Sequence, residues 1–162
     1  MCQKTTKTPP PTIDRFRGLY DFLSNFYPAK LRYEGLTYCN AEARQKLGRW
    51  EIGQARLTPG YGLRAAYVLH VIEPVYGRDP EALLAQCYAA CLDLAQAHRF
   101  PETVFPPLAT GKACFPKEKA ARIAVESVRR WRKTHRGPVV LFSCADQRSF
   151  DCVRAALEEG AP

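Results

Sequence analysis

A chain of 162 residues, 46% of them apolar and 25% charged, holds enough for one domain with a real core or two small incomplete ones. That excludes two full domains and a mainly disordered protein, and no apolar run is long enough to cross a bilayer, so no membrane partner is expected. The net charge of +8 favours an anionic partner: a pyrophosphate group, nucleic acid or an acidic protein surface.

Residues 1–12, with Lys4, Lys7 and the triple proline Pro9, Pro10 and Pro11, lack periodicity and are expected to be a locally extended tail. Order is expected from Ile13. Residues 31–38 read as strand-like, with Glu34 and Gly35 suited to a tight turn, and Asn40 suits the cap of a short helix beginning at Ala41. From residue 44 to 59, polar side chains with Gly48, Gly53 and Gly60 nearby sustain no single period, and the stretch reads as a junction.

Beyond the junction, strand and helix patterns alternate, the signature of an α/β layer fold. Residues 67–72 are a continuous apolar run broken only by His70, as in a strand covered on both faces, and Pro74 ends it. The pattern predicts a helix over 80–98, with Leu83, Leu84, Cys87, Cys91, Leu94 and Ala95 on one stripe. A strand over 103–108 should end early at its two prolines. A second helix over 116–134 turns Ala120, Ile123, Ala124, Val128 and Trp131 inward, a strand follows over 138–144, and a last helix over 147–159 buries Phe150, Val153 and Leu157. Strands joined by crossover helices should lie parallel, with the ligand crevice at their carboxyl ends.

The seven cysteines are an odd count scattered through apolar stretches, behind a start with no signal-peptide core, and read as reduced thiols of a cytoplasmic protein. Cys87 and Cys91 share a helix face, but no His or second cysteine pair stands at ligand spacing, so neither a metal site nor a cofactor is expected. Arg129, Arg130, Arg132, Lys133 and Arg136 close a predicted helix, where cations complement the macrodipole. The same cluster is the basis of a nucleic-acid reading, against which Trp131 falls on the apolar stripe and not on the basic face.

The run FPPLATGKACFPKEKAA joins a strand to a helix through Thr110, Gly111, Lys112, Ala113, Cys114 and Phe115. Gly111 permits close backbone approach, successive amides can point into one concavity, and the helix presents its positive end. The loop is therefore a candidate anion site, to which Lys112 adds charge. It does not complete a P-loop, because the first glycine and the spacing differ.

The stretches ARLTPGYGL, AYVLHVIEP, LLAQCYAACLDLA, VFPPLATGKACFPKEKAARIAVESV and VVLFSCADQRSF follow one another in the order and spacing of macrodomains. Residues 51–162 resemble that family without its usual first strands. The resemblance implies a three-layer α/β/α fold with a mixed sheet that binds ADP-ribose or ADP-ribosylated protein. In some members it also implies a hydrolase that removes ADP-ribose or deacetylates O-acetyl-ADP-ribose. It assigns the diphosphate to residues 110–115 and sets Cys144, Ala145 and Asp146 beside the adenosine end. Where this chain has Ala145 the family usually has an aromatic residue; where it has Glu73 the family usually has glycine, so a negative charge is added close to the anion site.

Ahead of this lies FRGLYDFLSNFYPAKLRYEGLTYCNAEA, which resembles the opening of NADAR domains, a family of N-glycosidases acting on ADP-ribose or phosphoribosylated intermediates. The expected division is thus a tail over 1–12, a NADAR-like segment over 13–50 and a macrodomain-like domain over 51–162. The resemblance makes Glu42 a catalytic candidate, with Asn25 in the same motif. A carboxylate can stabilise an oxocarbenium-like centre or activate water. The rest of such a domain is absent after Leu47, and packing of Phe16, Tyr20, Phe22, Phe26 and Tyr27 over the sheet left open is favoured over catalysis.

The first expectation is a module that binds ADP-ribose through residues 110–115. The alternatives are a hydrolase of ADP-ribose derivatives or N-glycosidic bonds, a basic nucleic-acid binder, and an inactive fusion of two fragments joined between Ala43 and Gly53.

Overall fold

The computed structural model describes residues 51–60 and 65–159. The expected tail over 1–12, the turn at Glu34 and Gly35, and the helix from Ala41 lie outside these residues.

The first strand among the described residues is one that the sequence pattern hid. Strand β1, Ala55–Pro59, pairs antiparallel with β2, Tyr67–Val71, in a register running from Ala55 opposite Val71 to Pro59 opposite Tyr67. The stretch read as a junction therefore ends in a strand. Five residues between Gly53 and Gly60, interrupted by Arg56 and closed by Pro59, are too few to display a period. Pro59 is tolerated because it is the strand's last residue. Ala55, Leu69 and Val71 pack against the core, while Thr58 and His70 share the opposite face and hydrogen-bond at 2.8 Å. Burial pushes the His70 pKa down, which favours the neutral ring. Strand β2 was expected to be covered on both faces; its residues are half-buried, and Tyr67 is exposed and stacked on Phe100.

Helix α1, Ala82–Ala97, buries Leu84, Cys87, Tyr88, Cys91, Leu92 and Ala95. Leu83 and Leu94, expected on that stripe, are only half-buried. ALLAQCYAACLDLAQA is apolar around most of its circumference, so the period fixes a helix but not which side packs. Burial raises the Cys87 thiol to about 11 and the Cys91 thiol to about 12, which leaves both protonated and in packing roles.

Strand β3, Glu102–Phe105, and strand β4, Val139–Phe142, pair in parallel, from Glu102 opposite Val139 to Phe105 opposite Phe142. Strand β3 stops three residues sooner than its apolar run, at Pro106 and Pro107, which cannot donate to a ladder. Between the two strands runs α2, Lys117–Arg132, which packs against α1 and against α3, Gln147–Glu158. Trp131 is buried as expected, and its indole N–H donates to Asp93 at 2.6 Å. Gly137 lies so close under that ring that a Cβ there would stand 2.4 Å from it.

Helix α3 departs from its expected inner face. It buries Ser149, Val153 and Ala156, while Phe150 is half-buried and Leu157 is exposed. A short helix lying close on α2 places small residues at the contact and lets the larger Leu157 rotate outward. Among the described residues the strands form two pairs, β1–β2 and β3–β4, so the expected single mixed sheet is seen in two parts. No described helix is long and apolar enough to cross a membrane.

Candidate functional site

Because β3 and β4 are parallel neighbours, their carboxyl ends lie on one edge, and the chain leaves both in the same direction. From β3 comes the loop into α2; from β4 comes the shorter loop into α3. The ladder runs one residue past the strands, with Ser143 N–H donating to Phe105 O at 2.8 Å. Across this edge Lys117 Nζ reaches both carboxylate oxygens of Asp146 at 2.8 Å. The tertiary fold thus brings the first residue of α2, two positions beyond the 110–115 loop, onto Asp146.

The β3–α2 loop is held from two sides. Tyr88 of α1 accepts the Leu108 N–H on its hydroxyl at 3.2 Å, and Glu73 accepts the Ala109 N–H on Oε1 at 2.9 Å. Further on, Tyr76 N–H donates to Ala113 O at 2.9 Å, and the Tyr76 ring meets Phe115 edge-on at 5.1 Å. Inside the loop, Cys114 N–H donates to Gly111 O and Phe115 N–H to Ala109 O, both at 3.0 Å, and the Thr110 hydroxyl donates to Pro107 O. Ala109 and Cys114 occupy the left-handed region at φ 62° and 60°. Each costs about 1–2 kcal/mol relative to ordinary backbone, a strain that the surrounding hydrogen bonds hold in place.

Amide accounting leaves a run over. The N–H groups of Thr110, Gly111, Lys112 and Ala113 have no hydrogen-bond partner among the described residues. Gly111 and Lys112 are exposed, and a Cβ at Gly111 would meet nothing within 4 Å. Next to them α2 begins at Pro116 with no side-chain cap. Consecutive unpaired amides beside a helix start form a concavity of positive partial charge, suited to an anion with several oxygens.

The expected site residues divide by role. Ala113 and Phe115 are buried, so their side chains pack in the core, and the Phe115 N–H is committed to Ala109 O. Lys112 and Cys114 are exposed, and Thr110 is half-buried. Asp146 is at the edge, but its carboxylate is already committed: it caps α3 by accepting from Ser149 N–H at 2.9 Å and pairs with Lys117. The Lys117 ammonium and then the Ser149 amide hold this carboxyl well below its usual range, at about 2. Ala145 is exposed beside it, and burial raises the Cys144 thiol to about 11. Glu42 and Asn25 lie outside the described residues. Sequence reasoning missed Tyr88 and Tyr76, because nothing in a helix stripe or a post-strand turn signals a contact to a loop 20 or more residues on.

Two other features are accounted for without a ligand. A shallow hollow of ≈410 Å³ beside the first turns of α2 is lined by Glu81, Pro116, Glu118, Lys119, Arg122 and Ile123, with Lys119 paired to Glu81 at 2.6 Å. Such a mixed, self-neutralised lining is a poor receptor for an anion. At the far end of α2, Arg129 donates to Ala156 O and Leu157 O, at 3.4 and 2.6 Å, and Arg132 donates to Pro138 O at 2.7 Å. These guanidiniums cap the end of α3 and the approach to β4.

The fold and this edge define an α/β module of the macrodomain class. The sequence profile of the Macro domain family matches residues 31–124, and the chain belongs to that family. It is 40% identical over 123 residues to a Macro domain-containing protein of Chlorobaculum tepidum, covering 74% of this chain and 72% of that one. A Protein-ADP-ribose hydrolase of Staphylococcus aureus is 32% identical over 149 residues, covering 88% of this chain but only 56% of the relative. Among solved structures, the Oceanobacillus iheyensis macrodomain with ADP superposes with a TM-score of 0.70 at 23% identity, over 76% of this chain and 68% of that one. The Trypanosoma brucei macrodomain in complex with ADP-ribose gives 0.62 at 30% identity, over 66% and 46%.

The family match begins at residue 31, upstream of the expected start at 51. Residues 31–43, assigned by motif to a NADAR-like segment, therefore fall inside the Macro domain match.

Proposed function

We propose that this chain binds ADP-ribose, free or attached to protein, with the diphosphate seated on residues 110–113 and the adenosine end toward Ala145 and Asp146. One observation carries the reading: four consecutive backbone N–H groups, at the carboxyl edge of a parallel strand pair, have no partner among the described residues. Backbone donors suit a diphosphate because its charge is spread over several oxygens and several amides can share it. Lys112 adds a cation at the mouth. Membership of the Macro domain family and the likeness to macrodomains solved with ADP and with ADP-ribose support the same ligand.

Calorimetric titration with ADP-ribose, on the wild-type chain and on Gly111→Glu, tests this. Position 111 has room for a side chain, so the variant should melt like wild type. A carboxylate among the amides should cost roughly tenfold or more in affinity. Equal binding by both proteins would place the site elsewhere, and a cooperatively folded wild type with no heat at millimolar ligand would refute the reading.

Hydrolysis of protein-linked ADP-ribose is the second reading, supported by the Staphylococcus aureus relative, of whose length this chain spans 56%. Incubation with ADP-ribosylated protein, with release of ADP-ribose as the readout, tests it; the same assay covers O-acetyl-ADP-ribose. N-glycosidase chemistry on Glu42 and Asn25 would require a NADAR-type active site. Incubation with free ADP-ribose and Glu42→Gln tests it, with loss of turnover in the variant as the expected signature.

A further inference from the structure

The run of available amides begins one residue after an amide that is already taken. Ala109 N–H donates to Glu73 Oε1 at 2.9 Å, and the next four N–H groups, at 110–113, are without partners among the described residues. The loop therefore already holds one anion at its head, supplied by the protein. Glu73 is half-buried, comes from the segment directly after β2, and is paired with no lysine or arginine among the described residues. Its charge is left to act on whatever sits beside it. Ala109 is 1% exposed, so its amide cannot turn to water, and an acceptor at position 73 is a structural need. A full negative charge is not. An uncharged acceptor of the same shape would serve the amide equally well.

We propose that Glu73 is a charge-selectivity determinant of this loop: a resident carboxylate on the first amide of the anion site that lowers affinity in proportion to the ligand's negative charge. The inference rests on the diphosphate reading of residues 110–113. It makes the site discriminate among adenosine-containing ligands by charge. A ligand that ends in a terminal phosphate, as ADP does, carries more charge to this edge than ADP-ribose, whose distal phosphate is esterified, and suffers the larger penalty. Adenosine, which carries none, suffers no penalty at all.

The test compares wild type, Glu73→Gln and Glu73→Ala by calorimetric titration with ADP, ADP-ribose and adenosine, at low and at high salt, with thermal melts alongside. The glutamine keeps the acceptor for Ala109 and removes the charge. It is expected to tighten ADP binding by roughly five- to tenfold at low salt, with a smaller gain for ADP-ribose, and added salt should shrink both gains. Adenosine should be unaffected. The alanine, which orphans the buried amide, should lower the melting temperature where the glutamine does not. Equal affinities in wild type and Glu73→Gln for all three ligands, or equal gains for charged and neutral ligands, would overturn the inference while leaving the diphosphate reading intact. Binding of ADP-ribose by Glu73→Gln but not by wild type would overturn that reading for the native chain and uphold the inference. No binding by either folded protein would overturn both.

Discussion

The two ends of α2 are both rich in positive charge, yet they are put to different uses. At the carboxyl end, Arg129 and Arg132 spend their donors on backbone carbonyls of α3 and of the approach to β4, and Trp131 anchors the turn through Asp93. At the amino end, cationic side chains pair with carboxylates: Lys117 with Asp146 and Lys119 with Glu81. What stays without a partner there, among the described residues, is the run of backbone amides at 110–113. Of the basic cluster that stands out in the sequence, Arg129 and Arg132 are structural while Arg130, Lys133 and Arg136 are exposed, and the loop with a single lysine holds the donors left unsatisfied among the described residues. Formal charge counts side chains; an anion site of this kind is built from peptide dipoles, which no charge count registers.

That contrast can be broken from its structural side first. Trp131→Ala removes a buried ring, its hydrogen bond and the packing of Gly137, and should destabilise the fold by about 3–5 kcal/mol in urea unfolding. A loss under about 1 kcal/mol would mean that the carboxyl end of α2 is not the anchor described. Arg129→Ala should cost about 1 kcal/mol of stability by uncapping α3 and leave ADP-ribose affinity unchanged. If it instead weakened binding of a nucleic acid in a steeply salt-dependent way, with stability intact, the basic end would have to be read as an interface.

The smallest effect concerns the bridge across the site edge. In the folded chain the Asp146 carboxyl is held at about 2, against about 3.9 when unfolded. Its contribution to stability is therefore complete above the unfolded value and is lost as the pH falls from there through the folded one. The pair is exposed, so the loss should stay below about 1 kcal/mol. Asp146→Asn should flatten that part of the acid unfolding profile, and an unchanged profile would remove the bridge from the account of the site. The same variant sharpens the comparison of the two helix ends, since it frees Lys117 without touching the amides of the loop.

Alternation of strand and helix patterns, the parallel relation of β3 and β4, the early stop at Pro106 and the loop at 110–115 were all legible from residue order. They depend on local chemistry: hydrophobic period, missing proline donors and a glycine between a strand and a helix. What was not legible depends on rotation and approach. Strand β1 escaped notice because five residues with an arginine and a proline carry no period of their own. The inner face of α1 was read correctly at Leu84, Cys87, Cys91 and Ala95, but a helix apolar on most sides packs where its neighbours allow, which set Tyr88 and Leu92 inward in place of Leu83 and Leu94.

The sequence by itself determined an α/β layer fold and a candidate anion loop, since both are written in patterns only a few residues apart, while the macrodomain class came from the resemblance of five segments in order. Only the tertiary structure decided that the Ala109 amide is held by Glu73, that the next four lack a partner among the described residues, and that Asp146 is paired with Lys117. The two pairings join residues 36 and 29 apart along the chain. Folding sets such pairings through packing elsewhere, and no local pattern encodes them.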